Sequence, residues 1–182
     1  LRASVRIRGA EAVDWEHMTS ARIDEKPCLI VADTGDNARK RSLYRVFVVK
    51  EPRLKPAAET SEKVVPLWKR IIYRFEDGSE NCEAIAAVPG RFEVLLATKN
   101  PRFRCDVYRL KLPRKRAGAV STAKRIARVP IPVVTGMDVS RDGHRLVLVT
   151  YASAYEYSRR KDESWAEALQ RKPAAIGLPR RK

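Results

Sequence analysis

Histidine and cysteine are scarce in this chain, two and three residues among 182, and that scarcity removes whole classes of chemistry. Two histidines exclude a histidine-rich metal centre. Cys28, Cys82 and Cys105 have no pairwise spacing of a zinc site, and their odd number argues against a disulfide framework. Cys28 opens an apolar run and Cys105 precedes another, as small core residues do, whereas Cys82 falls on a turn between Asn81 and Glu83. Cysteine usage therefore does not set the redox compartment. No glycine-rich phosphate loop, nucleophile elbow or paired-cysteine motif occurs among the eight glycines and three cysteines. No apolar run reaches the roughly 18 residues of a spanning helix, and no leader pattern follows Leu1.

Acids are also in short supply, 22 against 38 lysines and arginines, giving a net charge of +16 and an isoelectric point near 10.2. Such a balance points to anionic partners. The distribution argues against a nucleic-acid reader. Arg39-Lys40-Arg41, Arg114-Lys115-Arg116, Lys124-Arg125, Arg159-Arg160-Lys161 and Arg180-Arg181-Lys182 all fall between or after the apolar runs, where solvated loops are expected. With 44% apolar and 33% charged residues the chain is globular, and its length suits one domain spanning 1–182.

What the chain does have is a threefold pattern of acidic turn, apolar strand, polar turn and aromatic strand. It runs from Asp14-Trp15-Glu16 through Leu29-Ile30-Val31-Ala32-Asp33 to Tyr44-Arg45-Val46. It returns from Asn81-Cys82-Glu83 through Val94-Leu95-Leu96-Ala97-Thr98-Lys99 to Asp106-Val107-Tyr108, and from Met137-Asp138 through Leu146-Val147-Leu148-Val149-Thr150 to Tyr155-Glu156-Tyr157. Glu16, Glu83 and Asp138 follow one another about 55 to 67 residues apart, near the period of a propeller blade with long loops. Pro89-Gly90 and Asp142-Gly143 fall at matching places in two repeats. The fold class expected is all-β, a partial β-propeller of about three antiparallel blades near 10–50, 69–112 and 126–158. Val5–Arg8 alternates like an edge strand, 51–66 reads as a crossing loop, and 163–172 as one short connecting helix. A polar tail with no strand is expected after Pro173.

Asp14-Trp15-Glu16, Ala32-Asp33-Thr34-Gly35-Asp36-Asn37-Ala38, Asn81-Cys82-Glu83-Ala84, Ala97-Thr98-Lys99, Thr135-Gly136-Met137-Asp138-Val139-Ser140 and Ser164-Trp165-Ala166-Glu167-Ala168-Leu169 together resemble an uncharacterised, often exported family of bacterial β-propeller proteins. The resemblance covers nearly the whole chain. It implies an extracytoplasmic protein and further blades beyond Lys182, so that this chain is about half a propeller, prone to self-association through open blade edges. His17 departs from the pattern, since an acid commonly follows the Trp-Glu pair.

Placed at one repeat position, Glu16, Glu83 and Asp138 would meet near the axis and either hold Ca²⁺ or Mg²⁺ or accept amide hydrogen bonds as a latch between blades. Asp33, Asp36 and Asn37 form either a cation loop or a plain turn around Gly35. Asp33, Lys99 and Tyr151 are candidates for a ligand at the channel mouth. A Cys82 and His17 nucleophile pair lacks an orienting third group, and His144 sits in an exposed hairpin. The function expected is a scaffold for ligand or protein binding, with no catalytic motif. The alternatives are a divalent-metal hydrolase of lactonase or phosphoesterase type and a polyanion-binding protein.

Overall fold

The computed structural model describes residues 3–53, 61–102, 104–114 and 118–178. Pro56, Lys115, Arg116 and the Arg180–Lys182 cluster lie outside them. Among the described residues the protein is all-β with one short helix, and no helix is long and apolar enough to cross a membrane.

Three antiparallel four-stranded units follow one another. The first holds β2 (Trp15–Ile23), β3 (Lys26–Asp33), β4 (Tyr44–Lys50) and β6 (Lys69–Phe75). The second holds β7 (Cys82–Ala87), β8 (Glu93–Thr98), β9 (Cys105–Lys111) and β10 (Ser121–Val129). The third holds β11 (Gly136–Val139), β12 (Arg145–Val149), β13 (Ser153–Ser158) and β14 (Ala174–Gly177). Outside these units β1 (Ala3–Arg8) pairs in parallel with β5 (Ser61–Pro66). A short parallel pairing of Ser121–Ala123 with Tyr73–Phe75 joins the first two units into one eight-stranded mixed sheet, ordered β2-β3-β4-β6-β10-β9-β8-β7.

That sheet nearly closes on itself like a barrel, because its end strands β2 and β7 come together through side chains. His17 Nδ1 lies 3.0 Å from the Ile85 carbonyl oxygen and 3.3 Å from its amide nitrogen, bonding one or the other according to tautomer. The Ala87 amide donates to Thr19 Oγ1 at 3.3 Å. These contacts satisfy polar groups that an edge strand would otherwise leave open.

Period-two alternation explains the apolar runs. On β8, Val94 and Leu96 face a first core with Ile30, Tyr44, Tyr73, Phe75 and Tyr108, while Leu95 and Ala97 face a second with Val107, Met137, Leu148 and Trp165. A strand buried on both faces has no polar alternation to show. Phe75 anchors the first core, its ring 4.9 Å from Tyr44 and 4.7 Å from Tyr108 in edge-on geometry. Helix α1 (Trp165–Ala168) is one turn closed by a reciprocal Ser164 and Glu167 capping box, and it lays Trp165 on the second core.

Several expectations are corrected. β2 is a nine-residue strand where an acidic turn was expected; its tight link to β3 is Asp24-Glu25, both left-handed at φ 48° and 60°, a conformation usually given to Asn-Gly. Ser61–Pro66 is a strand rather than part of a loop, because β1 supplies its ladder. Ala174–Gly177, expected as tail, pairs with β13 although every residue is exposed, so backbone hydrogen bonding without burial left no apolar signal. Lys69–Phe75 completes the first unit by pairing with β4. Lys124 and Arg125 lie on β10, not in a loop, and Cys82 opens β7 fully buried instead of sitting on a turn.

Candidate functional site

At the end of the units where β2 and β7 begin, the pairing breaks at the same step twice. Trp15 faces Asp33 and His17 faces Ala32, leaving Glu16 as an extra residue; Cys82 faces Thr98 and Ala84 faces Ala97, leaving Glu83 likewise. Such bulges re-aim a side chain out of the pleat. The third unit has no bulge: Gly136, Met137 and Asp138 pair in unbroken register with Val149, Leu148 and Val147. Asp138 is therefore two pairs further along its strand, exposed, bonded by the Val139 amide at 2.9 Å and facing a cleft with His17 and Met18. Two of the three expected acids share a position, and the third stands apart.

The carboxyls of Asp14 and Glu16 converge over Gly35, where a Cβ would collide with both. Gly35 is thus required by close approach rather than by its own backbone angle. Partial burial, then the charges of Glu83 and Asp14, push the Glu16 carboxyl up to about 7 against the opposing pull of Lys99. Among the described residues the Glu16 carboxyl makes no hydrogen bond.

Glu83 is buried and ion-paired to Lys99, with Nζ 2.8 Å from Oε1. The same ammonium donates to the Tyr151 hydroxyl at 2.9 Å and lies 5.3 Å from that ring's centroid. Bonding to Glu83 and then to Tyr151 raises the Lys99 pKa, so the amine is a fixed cation. Tyr151 is 70% exposed, an aromatic face open to solvent. Lys99 and Tyr151, both expected at the channel mouth, thus touch each other across successive units.

Asp33, expected at the channel mouth, is fully buried and saturated. It accepts from the Val13 and Asp14 amides at 3.1 and 2.7 Å and pairs with Arg41 and Arg45 at 3.3 and 3.4 Å. It is a latch for the chain entering β2. The loop after it is a turn bolted to the second unit. Asp36 accepts from the Lys40 and Arg41 amides and the Tyr44 hydroxyl at 2.8 to 2.9 Å. Asn81 accepts from the Asp36 amide at 2.8 Å and donates to Asn37 at 3.2 Å, and Thr34 Oγ1 donates to the Cys82 carbonyl at 2.7 Å.

The Cys82 thiol is buried and pushed up to about 12 by that burial, while His17 is occupied with Ile85, so the pair makes no nucleophile. His144, expected exposed, is half-buried with Nδ1 2.9 Å from the Arg159 carbonyl oxygen. Among the described residues no three His, Cys, Asp or Glu side chains gather as metal ligands do. Sequence reasoning missed Asp14, Asn81 and Gly35 as parts of the site. The signal for Asp14 was its spacing of two from Glu16, which places both on one side of an extended chain.

No family model matches the chain, and no curated protein matches it.

Proposed function

We propose that this chain is a binding scaffold of β-propeller type that takes a small polar ligand at the inner-strand end, through Glu16, Glu83, Lys99 and Tyr151. The observation that carries the reading is the repeated bulge. Equivalent positions of two successive units deliver one carboxyl poised near neutrality and one carboxylate bound to a cation, with an exposed phenol above them. A carboxyl shifted by partial burial beside like charges is a mark of functional sites, because an ordinary surface carboxyl has no cause to shift. Three carboxyls facing one ammonium favour a ligand bearing hydroxyl or ammonium donors.

The propeller reading is supported by three four-stranded units that stack face to face with their first strands adjacent, and by the resemblance drawn from the sequence motifs. The open face of the first unit exposes Trp15 and Met18 beside Leu29 and Val31, the kind of surface a further blade would cover. An extracytoplasmic setting belongs to the same proposal and rests on the resemblance.

Titrating ¹⁵N-labelled protein with methylammonium, acetate and glycerol tests the site. The reading expects saturable shifts at residues 14–16, 34–37, 81–83, 99 and 151, lost in Lys99→Met/Tyr151→Ala. Shifts confined to other surfaces, or unchanged in that variant, would contradict it. The rival divalent-ion hydrolase would gain support from calcium chloride shifting the same amides and stabilising the fold, with both effects lost in Glu83→Gln.

A further inference from the structure

The ion pairs of this protein are not evenly spread. Around the acidic end, Arg39, Arg41, Arg45, Lys99, Arg125 and Arg128 each pair with a carboxylate. At the opposite end of the first two units, where β4 and β9 finish and β6 begins, Arg22 pairs with Glu25 on the β2–β3 turn, but among the described residues the cations around Trp68 have no carboxylate partner. Among the described residues Lys69, Arg70 and Arg114 make no carboxylate pair. Lys69 Nζ instead donates to the carbonyls of Pro113 and Arg114 at 3.3 and 2.7 Å, and Arg70 donates to the Gly9 carbonyl.

These cations surround aromatic rings. Lys69 lies 5.4 Å from the Trp68 centroid and 5.2 Å from that of Phe92, and Arg114 lies 5.0 Å from Phe92. Trp68, Lys69 and Arg70 line a groove of about 500 Å³ with Gly9, Pro113 and Gly118, and no carboxylate is among its described lining residues. A cation held by ring faces and carbonyls keeps its full charge, since neither partner neutralises it. An uncompensated cluster beside a half-buried indole suits a ligand that brings negative charge and a flat ring together.

We propose that this groove binds a nucleotide, its base against Trp68 and its phosphate on Lys69 and Arg70 of the lining, with Arg114 next to Lys69 at the rim. The site is separate from the acidic end. It is also consistent with the spread of charge along the sequence, because two lining cations and a third at the rim do not make a duplex-reading element. The base could come from a free mononucleotide or from a single strand, and the two sources share this chemistry.

The test follows the Trp68 indole resonance in ¹H–¹⁵N spectra while AMP, octathymidylate, inorganic phosphate and heparin are added in turn. Saturable shifts of Trp68 with AMP or octathymidylate are expected. They should weaken at least tenfold in Lys69→Met/Arg114→Met, and the affinity should fall with salt as bound counterions are released. A second variant, Trp68→Phe, read from the backbone amides of residues 67–72 because it has no indole at that position, should lose affinity for AMP while its response to inorganic phosphate is unchanged. Octathymidylate binding at least tenfold tighter than AMP assigns the strand as source; equal affinities assign the free nucleotide. The proposal is overturned if neither nucleotide probe gives a saturable response. It is also overturned if heparin or phosphate matches AMP without moving the Trp68 indole, or if the double variant, with its remaining amide spectrum intact, binds AMP as tightly as the parent.

Discussion

Replacing Asp33 with alanine removes the acceptor that four donors share at the joint between the entering chain and β3. Two of those donors are the backbone amides of Val13 and Asp14, at 3.1 and 2.7 Å, and two are the guanidinium groups of Arg41 and Arg45. The aspartate is wholly inaccessible and the Arg41 side chain is only 15% exposed, so water reaches this cluster poorly. Breaking a buried charge pair by deleting one partner costs about 3 to 5 kcal/mol, because the survivor is left desolvated and uncompensated. For a chain of this size that corresponds to a melting temperature lower by roughly 6 to 20 °C. Asp33→Asn keeps the shape and one amide acceptor but not the charge, and should fall between the parent and the alanine variant. Urea unfolding followed by circular dichroism measures both. A loss below about 1 kcal/mol in the alanine variant, with an unchanged denaturant slope, would refute the latch and return Asp33 to the list of exposed ligand candidates.

Three further outcomes follow from the same geometry. Glu16 has a folded pKa of about 7 against an ordinary 4.5, so its ionisation penalises the fold progressively as pH rises between those values; below 4.5 the penalty is absent. Unscreened, the gap is worth roughly 3 kcal/mol, and solvent screening of this half-exposed group leaves about 1 kcal/mol. Glu16→Gln should therefore be more stable than the parent at pH 8 and indistinguishable at pH 4 in parallel melts; an equal difference at both values would exclude the ionisation. Cys28, Cys82 and Cys105 are buried with their thiols pushed upward by desolvation, so native protein at pH 8 should resist Ellman's reagent until unfolded, and rapid reaction of any of them would show the cores to be open. His17→Ala strips a partner from Ile85 at the β2–β7 seam and should cost about 1 to 3 kcal/mol, with faster amide exchange at Ile85 and Ala87; unaltered exchange there would mean the seam holds without it.

The apolar strands were legible in the sequence because burial on both faces writes itself as an uninterrupted run, as at Val94–Ala97. The turn glycines Gly90 and Gly143 were legible because left-handed backbone selects them. β14 was not, since Ala174–Gly177 is held by its ladder alone, nor was β5, whose partner lies some sixty residues earlier. Lys69–Phe75 shows the alternation of a strand but nothing local says which unit it completes. Within the site, the shared end of Lys99 and Tyr151 and the equivalence of Glu16 with Glu83 came from the repeat, but the bonds of Lys99 to Glu83 and Tyr151 did not. The separation of Asp138 did not, because a bulge is a matter of register, and residue types alone do not reveal that the third unit lacks one. Asp33 was misplaced for a related reason: an aspartate ending an apolar strand looks the same whether it points to solvent or is enclosed by arginines supplied from the following turn and strand.

The central claim is that equivalent bulges bring Glu16 and Glu83 close enough to share a field with Lys99. A carbon-detected NMR titration of the Glu16 side-chain carboxyl measures this directly. The midpoint should lie near 7 in the parent and fall in Glu83→Gln, where one repelling charge is gone and Lys99 is released to act on Glu16. A midpoint near 4.5 in the parent, or one that Glu83→Gln leaves in place, would contradict it.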